Sequence, residues 1–138
     1  MSNVRHLRDK FPDNEKITIN LGYVDLGRVD LLVQEGFYSN RSDFIRTAIR
    51  NQLDTQSDAL SKSIERHTMD LGLRDYSVAD LEAVRSANEV LHIKVVGLAR
   101  IASDVTPELA LATIASIDVL GALQASADVK KALSGRIS

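Results

Sequence analysis

The chain has 138 residues, 44% apolar and 26% charged, with no cysteine and a formal charge of −2. This is the composition of a soluble globular protein, one ordinary domain or two small ones, and it excludes disorder throughout, disulfides and thiolate metal sites. A charge so near zero argues against a protein whose whole surface grips nucleic acid, so any DNA-facing surface is expected to be small and local.

Residues 1–14, MSNVRHLRDKFPDN, lack the apolar core of a signal peptide and read as a flexible arm. Arg5, Arg8 and Lys10 are candidates for following a DNA backbone or entering a minor groove, with a solvated tail as the plain alternative. Next comes EKITINL, Glu15 to Leu21, in which Ile17, Ile19 and Leu21 alternate with Lys16, Thr18 and Asn20. Side chains on a strand have a period of two, so one face is apolar and the other polar.

Val24 to Gln34 carries Leu26, Val29, Leu32 and Val33 at helical spacing, and Gly36 is placed to end that helix in a left-handed cap. In FYSNRSDFIRTAIRNQL, Asn40 and Asp43 form the Asn/Asp version of a capping box ahead of a second stripe, Phe44, Ile45, Ala48, Ile49 and Leu53. The order is therefore strand, helix, turn, helix over residues 15–54. A lone strand leaves its ladder hydrogen bonds unmade, and so small a module buries too little apolar surface to stand alone. A twofold partner remedies both defects: two copies pair their strands antiparallel, and Ile17, Ile19 and Leu21 close over four helices.

That pairing leaves Lys16, Thr18 and Asn20 of both chains on the open side of a two-stranded ribbon, a shape that fits the major groove. Asn20 can bond an adenine edge twice, Lys16 can reach guanine acceptors or phosphate, and Thr18 offers a hydroxyl and a methyl. The start of the second helix presents backbone N–H groups at Arg41 and Ser42, suited to a phosphate.

The run KITINLGYVDLGRVDLLVQEGFYSNRSDFIRTAIRNQL resembles the ribbon-helix-helix family of dimeric DNA-binding proteins, the CopG, Arc and MetJ type, over Lys16 to Leu53. The resemblance implies that Lys16, Thr18 and Asn20 read bases and that Ser39, Asn40 and Arg41, with Ser42 beside them, clamp phosphate. It departs from the family at Gly22, where relatives often carry proline, and Gly27 within the first helix costs about 1 kcal/mol relative to alanine.

TQSDALSKSIERH continues at helical spacing through Leu60 and Ile64 and reads as a helical linker, residues 55–67. Beyond it, TMDLGLRDYSVADLEAV, IKVVGLARIASDVTPEL and IDVLGALQASADVKKAL repeat at a period of about 24 residues, with Gly72, Gly97 and Gly121 in register. Each unit reads as a strand followed by a short helix, with starts marked by Ser77 and Asp80 and by Thr106 and Pro107. Strand–helix units in series predict parallel strands with helices beside them. The expected fold is α+β: a ribbon-helix-helix intertwined dimer over residues 15–54, then a small solenoid-like β/α repeat domain over 68–138, open at both ends.

The open edges suit assembly of dimers into higher oligomers, and a small effector is the other use of such a domain. His67 and His92 stand apart without metal-ligand spacing, and His92 reads as a strand residue with a satisfied ring. The three glycines form no phosphate loop and point to close packing or a bulge. No nucleophile elbow or carboxylate pair supports catalysis, and no cofactor is implied. The most apolar run, Leu109 to Leu123, is shorter than the roughly 20 residues of a membrane span and contains Asp118, so a cytoplasmic, nucleoid-associated location is expected. Taken together, the residues predict a homodimeric DNA-binding transcriptional repressor. The alternatives are an antitoxin that wraps a toxin with its C-terminal half, an architectural protein coating DNA, and a protein-interaction scaffold.

Overall fold

The computed structural model describes residues 14–138, so the arm residues Arg5, Arg8 and Lys10 lie outside it. Contacts divide the chain into two compact units, Met1–Leu60 and Ser61–Ser138. The division falls within the segment that reads as a linker.

In the first unit the elements are α1 (Tyr23–Gln34) and α2 (Arg41–Thr55). The chain leaves α1 through Gly36, at φ +89°. There the Phe37 N–H donates to the Leu32 carbonyl and the Gly36 N–H to the Val33 carbonyl, both at 3.0 Å. This double closure is the Schellman arrangement, and glycine supplies its left-handed residue without steric cost. Tyr38 then stacks edge-on against Phe44 with ring centroids 5.0 Å apart. Val29 is the one buried apolar residue of this unit among the described residues, and α2 buries none. The helical break at Gln56 separates α2 from α3 (Ser57–Arg66), so the second helix restarts rather than running on.

The second unit alternates β1 (Asp70–Tyr76), α4 (Val78–Ser86), β2 (Leu91–Ile101), α5 (Pro107–Thr113), β3 (Ile114–Gln124) and α6 (Ala127–Ala132), closing in a 3-10 turn at Ser134–Arg136. The three strands form one parallel sheet in the order β1-β2-β3. Consecutive parallel strands need a crossover, and α4 and α5 provide it. Helix starts are fixed locally: Ser77 and Asp80 bond each other's backbone N–H reciprocally, and the Thr106 hydroxyl accepts from the Leu109 N–H one residue before the N1 proline. Ser126 caps α6 in the same way.

Helices and strands bury one continuous core that includes Leu81, Ile93, Val95, Ile101, Leu109, Ile114, Ile117, Val129 and Leu133. On β2 the buried positions 93, 95, 99 and 101 share one face, as a strand covered on one side requires. Thr113, the buried polar residue of this core, donates its hydroxyl to the Leu109 carbonyl at 2.7 Å and so carries no desolvation penalty.

The glycine column is the most constrained feature of this unit. Gly72 pairs with Gly97, and Gly97 with Gly121, so one glycine lies opposite the next across all three strands. All three have positive φ, +120°, +137° and +119°. A Cβ on Gly97 would collide with the Gly72 carbonyl oxygen, and one on Gly121 with the Gly97 carbonyl oxygen. The periodic glycines thus allow neighbouring backbones to approach where no side chain fits.

Candidate nucleic-acid interface

The polar face of residues 16–20 is placed by the backbone alone. Residues 14–22 form neither helix nor strand within the single chain, and Lys16, Thr18 and Asn20 are exposed. Nor is their apolar face covered: Ile17, Ile19 and Leu21 are 71%, 56% and 42% exposed. Among the described residues the segment pairs with no strand of its own chain. An alternating segment with both its ladder and its apolar face unmatched leaves backbone groups and apolar surface in water. Leu31, Ile49 and Leu53 of the neighbouring helices and Phe37 of the turn between them are exposed as well. So large an apolar share left in water marks an interaction surface.

The second candidate surface is the start of α2. The Asn40 side chain accepts from the Asp43 N–H at 2.8 Å, as the capping pattern predicts. The reciprocal bond differs, because the Asp43 carboxylate accepts from the Ser39 N–H at 3.0 Å rather than from that of Asn40. Asn40 is fully extended, at φ −166° and ψ 177°, and this geometry carries the Asp43 bond one residue further back than the simple box. The cap therefore occupies the Ser39 and Asp43 N–H groups, the latter bonded to the Asn40 side-chain Oδ1. Among the described residues the Arg41 and Ser42 N–H groups remain at the positive end of the helix, where a phosphate oxygen would be favoured.

Arg41 does not extend freely from this end. Its Nε and Nη2 donate to the two carboxylate oxygens of Asp30 on α1, each at 2.8 Å. The fork-to-fork geometry is the strongest form of an exposed ion pair. The hydrogen bond from Arg41 holds the Asp30 carboxyl below the usual carboxylate range, and Asp30 raises the guanidinium in turn. Asp30 is the residue that sequence reasoning missed. It lies 11 positions from Arg41 on a different helix, and no local spacing signals such a pair.

This pairing would make Asp30 a competitor of any phosphate for the same guanidinium. Asp30→Asn is expected to tighten binding to all DNA sequences several-fold and to steepen the salt dependence, since it removes a negative charge and frees Arg41. Arg41→Ala is expected to weaken all sequences alike and flatten the salt dependence by about one phosphate contact. Fluorescence anisotropy over a salt series reads both. Weaker binding by the Asp30 variant would show instead that the carboxylate positions Arg41.

His92 and His67 are engaged locally, with ring Nδ1 atoms 2.8 Å from the Ser116 hydroxyl and the Ser63 carbonyl respectively. No helix among the described residues is long and apolar enough to cross a membrane.

Comparison with curated proteins finds no match, and comparison with solved structures finds none. The sequence model of the ribbon-helix-helix transcriptional regulator family matches residues 12–130, which takes in the alternating segment, both helices of the first unit and most of the β/α unit. The match spans far more than half of the chain, and the protein belongs to the ribbon-helix-helix family of transcriptional regulators.

Proposed function

We propose that the protein is a homodimeric, sequence-specific repressor. Two copies pair residues 15–21 into an antiparallel ribbon, and that ribbon enters the major groove of an operator. Lys16, Thr18 and Asn20 read base edges from the ribbon. The Arg41 and Ser42 N–H groups, with the Ser42 hydroxyl and the Arg41 guanidinium, hold phosphate on either side. Ser39 and Asn40 act through the cap that sets the direction of those donors, and Arg5, Arg8 and Lys10 add charge from the arm. The observation that carries this reading is the segment at Ile17, Ile19 and Leu21, apolar, alternating and uncovered in the single chain, with its polar side equally open.

The C-terminal unit would then join dimers on neighbouring sites. It has its own buried core and capped helices, which suit a folded assembly module better than a tail that orders only around a toxin.

Selection of bound duplexes from random DNA tests the proposal, with stoichiometry measured on the winning site. A defined half-site repeated with twofold symmetry and occupied by a dimer is expected. Asn20→Ala should lose about 1–3 kcal/mol of discrimination at one base position while the dimer stays intact. An unchanged site preference removes Asn20 from the reading set, and selection yielding no preferred sequence favours an architectural coat.

A further inference from the structure

The sheet of the C-terminal unit ends in two edges that are largely unpaired among the described residues. Among the described residues, β1 has no bridge on its outer side, and β3 is bridged there only where Ile137 pairs with Ile117. Val119 to Leu123 carries no such bridge among the described residues. Protected edges commonly carry charged residues, lysine above all, or proline; Val119–Gln124 holds none of these, and β1 holds Asp70, Arg74 and Asp75 but no lysine or proline.

The glycine column gives these edges a direction. Gly97 accommodates the carbonyl of the glycine on the preceding strand, and Gly121 does the same. Gly72 has the same positive φ, yet the space beyond its Cα holds nothing within 4 Å. The first strand thus leaves room for a preceding strand that the described residues do not supply. A glycine carbonyl at that place is what the β3 of another copy offers through Gly121. The apolar rows agree: Leu71 and Leu120 are 69% and 61% exposed at the two edges, while Val96, their partner on the central strand, is half-buried between them.

We propose that the C-terminal units join head to tail, the outer edge of β3 in one copy pairing parallel with the outer edge of β1 in a second copy, in the register that already joins β2 to β3. The proposal rests on the assembly role assigned above to this unit and specifies its partner and geometry. Leu71 of one copy then lies beside Leu120 of the other, and Gly72 beside Gly121. The contact is heterologous, so it leaves a free edge at each end and grows into a chain. Because each dimer carries two such units, a few edge contacts would link dimers along DNA with avidity.

The absence of cysteine permits a clean test. Full-length Leu71→Cys and Leu120→Cys variants are oxidised separately and as a mixture. Neighbouring strands lie about 4.8 Å apart, within disulfide reach, whereas stacked sheets at about 10 Å are not. A cross-link is expected only on mixing, and a ladder of multiples is expected from the double variant, whose two cysteines are too distant to pair within one sheet. Asp75→Cys mixed with Leu120→Cys is the out-of-register control and should give no product. Cross-linking within either single variant, or none on mixing while light scattering shows species above the dimer, overturns the head-to-tail register and leaves the assembly role standing. A mass that stays at the dimer up to millimolar protein overturns both, without bearing on the DNA-binding half.

Discussion

Gly97→Ala is expected to unfold the C-terminal unit at ordinary temperature while leaving the DNA-binding half folded. Two costs act at once. The residue has φ +137°, a conformation that an L side chain resists at about 1–3 kcal/mol. The new methyl group would also drive into the Gly72 carbonyl oxygen, which belongs to backbone held by the β1–β2 ladder and cannot swing aside. Together these consume much of the 5–15 kcal/mol that stabilises a typical domain. Gly72→Ala is the matched comparison, because it shares the positive φ without the collision. At dilute protein, where no second copy lies against Gly72, it should cost only the conformational part, and the difference between the two melting temperatures isolates the close approach. Equal destabilisation would mean that strand packing is not what demands glycine at position 97.

The second large effect is expected at Ile19. In the single chain this side chain is more than half exposed, so Ile19→Asp should hardly change the fold of one copy. In the proposed dimer it is buried twice. Loss of about 2 kcal/mol of apolar burial in each copy, before any cost of burying a carboxylate, raises the dimer dissociation constant about a thousandfold. DNA binding should vanish with the dimer, since neither ribbon nor twofold exists without it. Thr18→Ala, one residue away on the opposite face, should leave the mass in solution unchanged. Sedimentation at micromolar protein separates the two, and an Ile19→Asp protein that remains dimeric would move the twofold contact away from this segment. The Asn20 and Ile19 variants together distinguish reading from assembly: the first alters which DNA is chosen, the second whether any is bound.

The sequence by itself determined what short-range chemistry decides. Gly36 at the end of α1, the Ser77–Asp80 box and the Thr106–Pro107 start all stand where their residue types predict, because a cap is settled by backbone groups within a few residues. The period of the glycines likewise announced a repeated strand–helix unit, and alternation at Glu15–Leu21 marked an apolar row that the single chain leaves exposed. Tertiary structure decided the rest, through contacts between residues far apart in the chain. It set the register that aligns Gly72, Gly97 and Gly121 across the sheet and turned a spacing into a backbone close approach. It brought Asp30 across from one helix to occupy the Arg41 guanidinium, and Arg136 back 25 and 22 residues to the carbonyls of Leu111 and Ile114. Periodicity records which face of an element is apolar, but which distant group meets that face depends on how whole elements pack, and no local spacing encodes it.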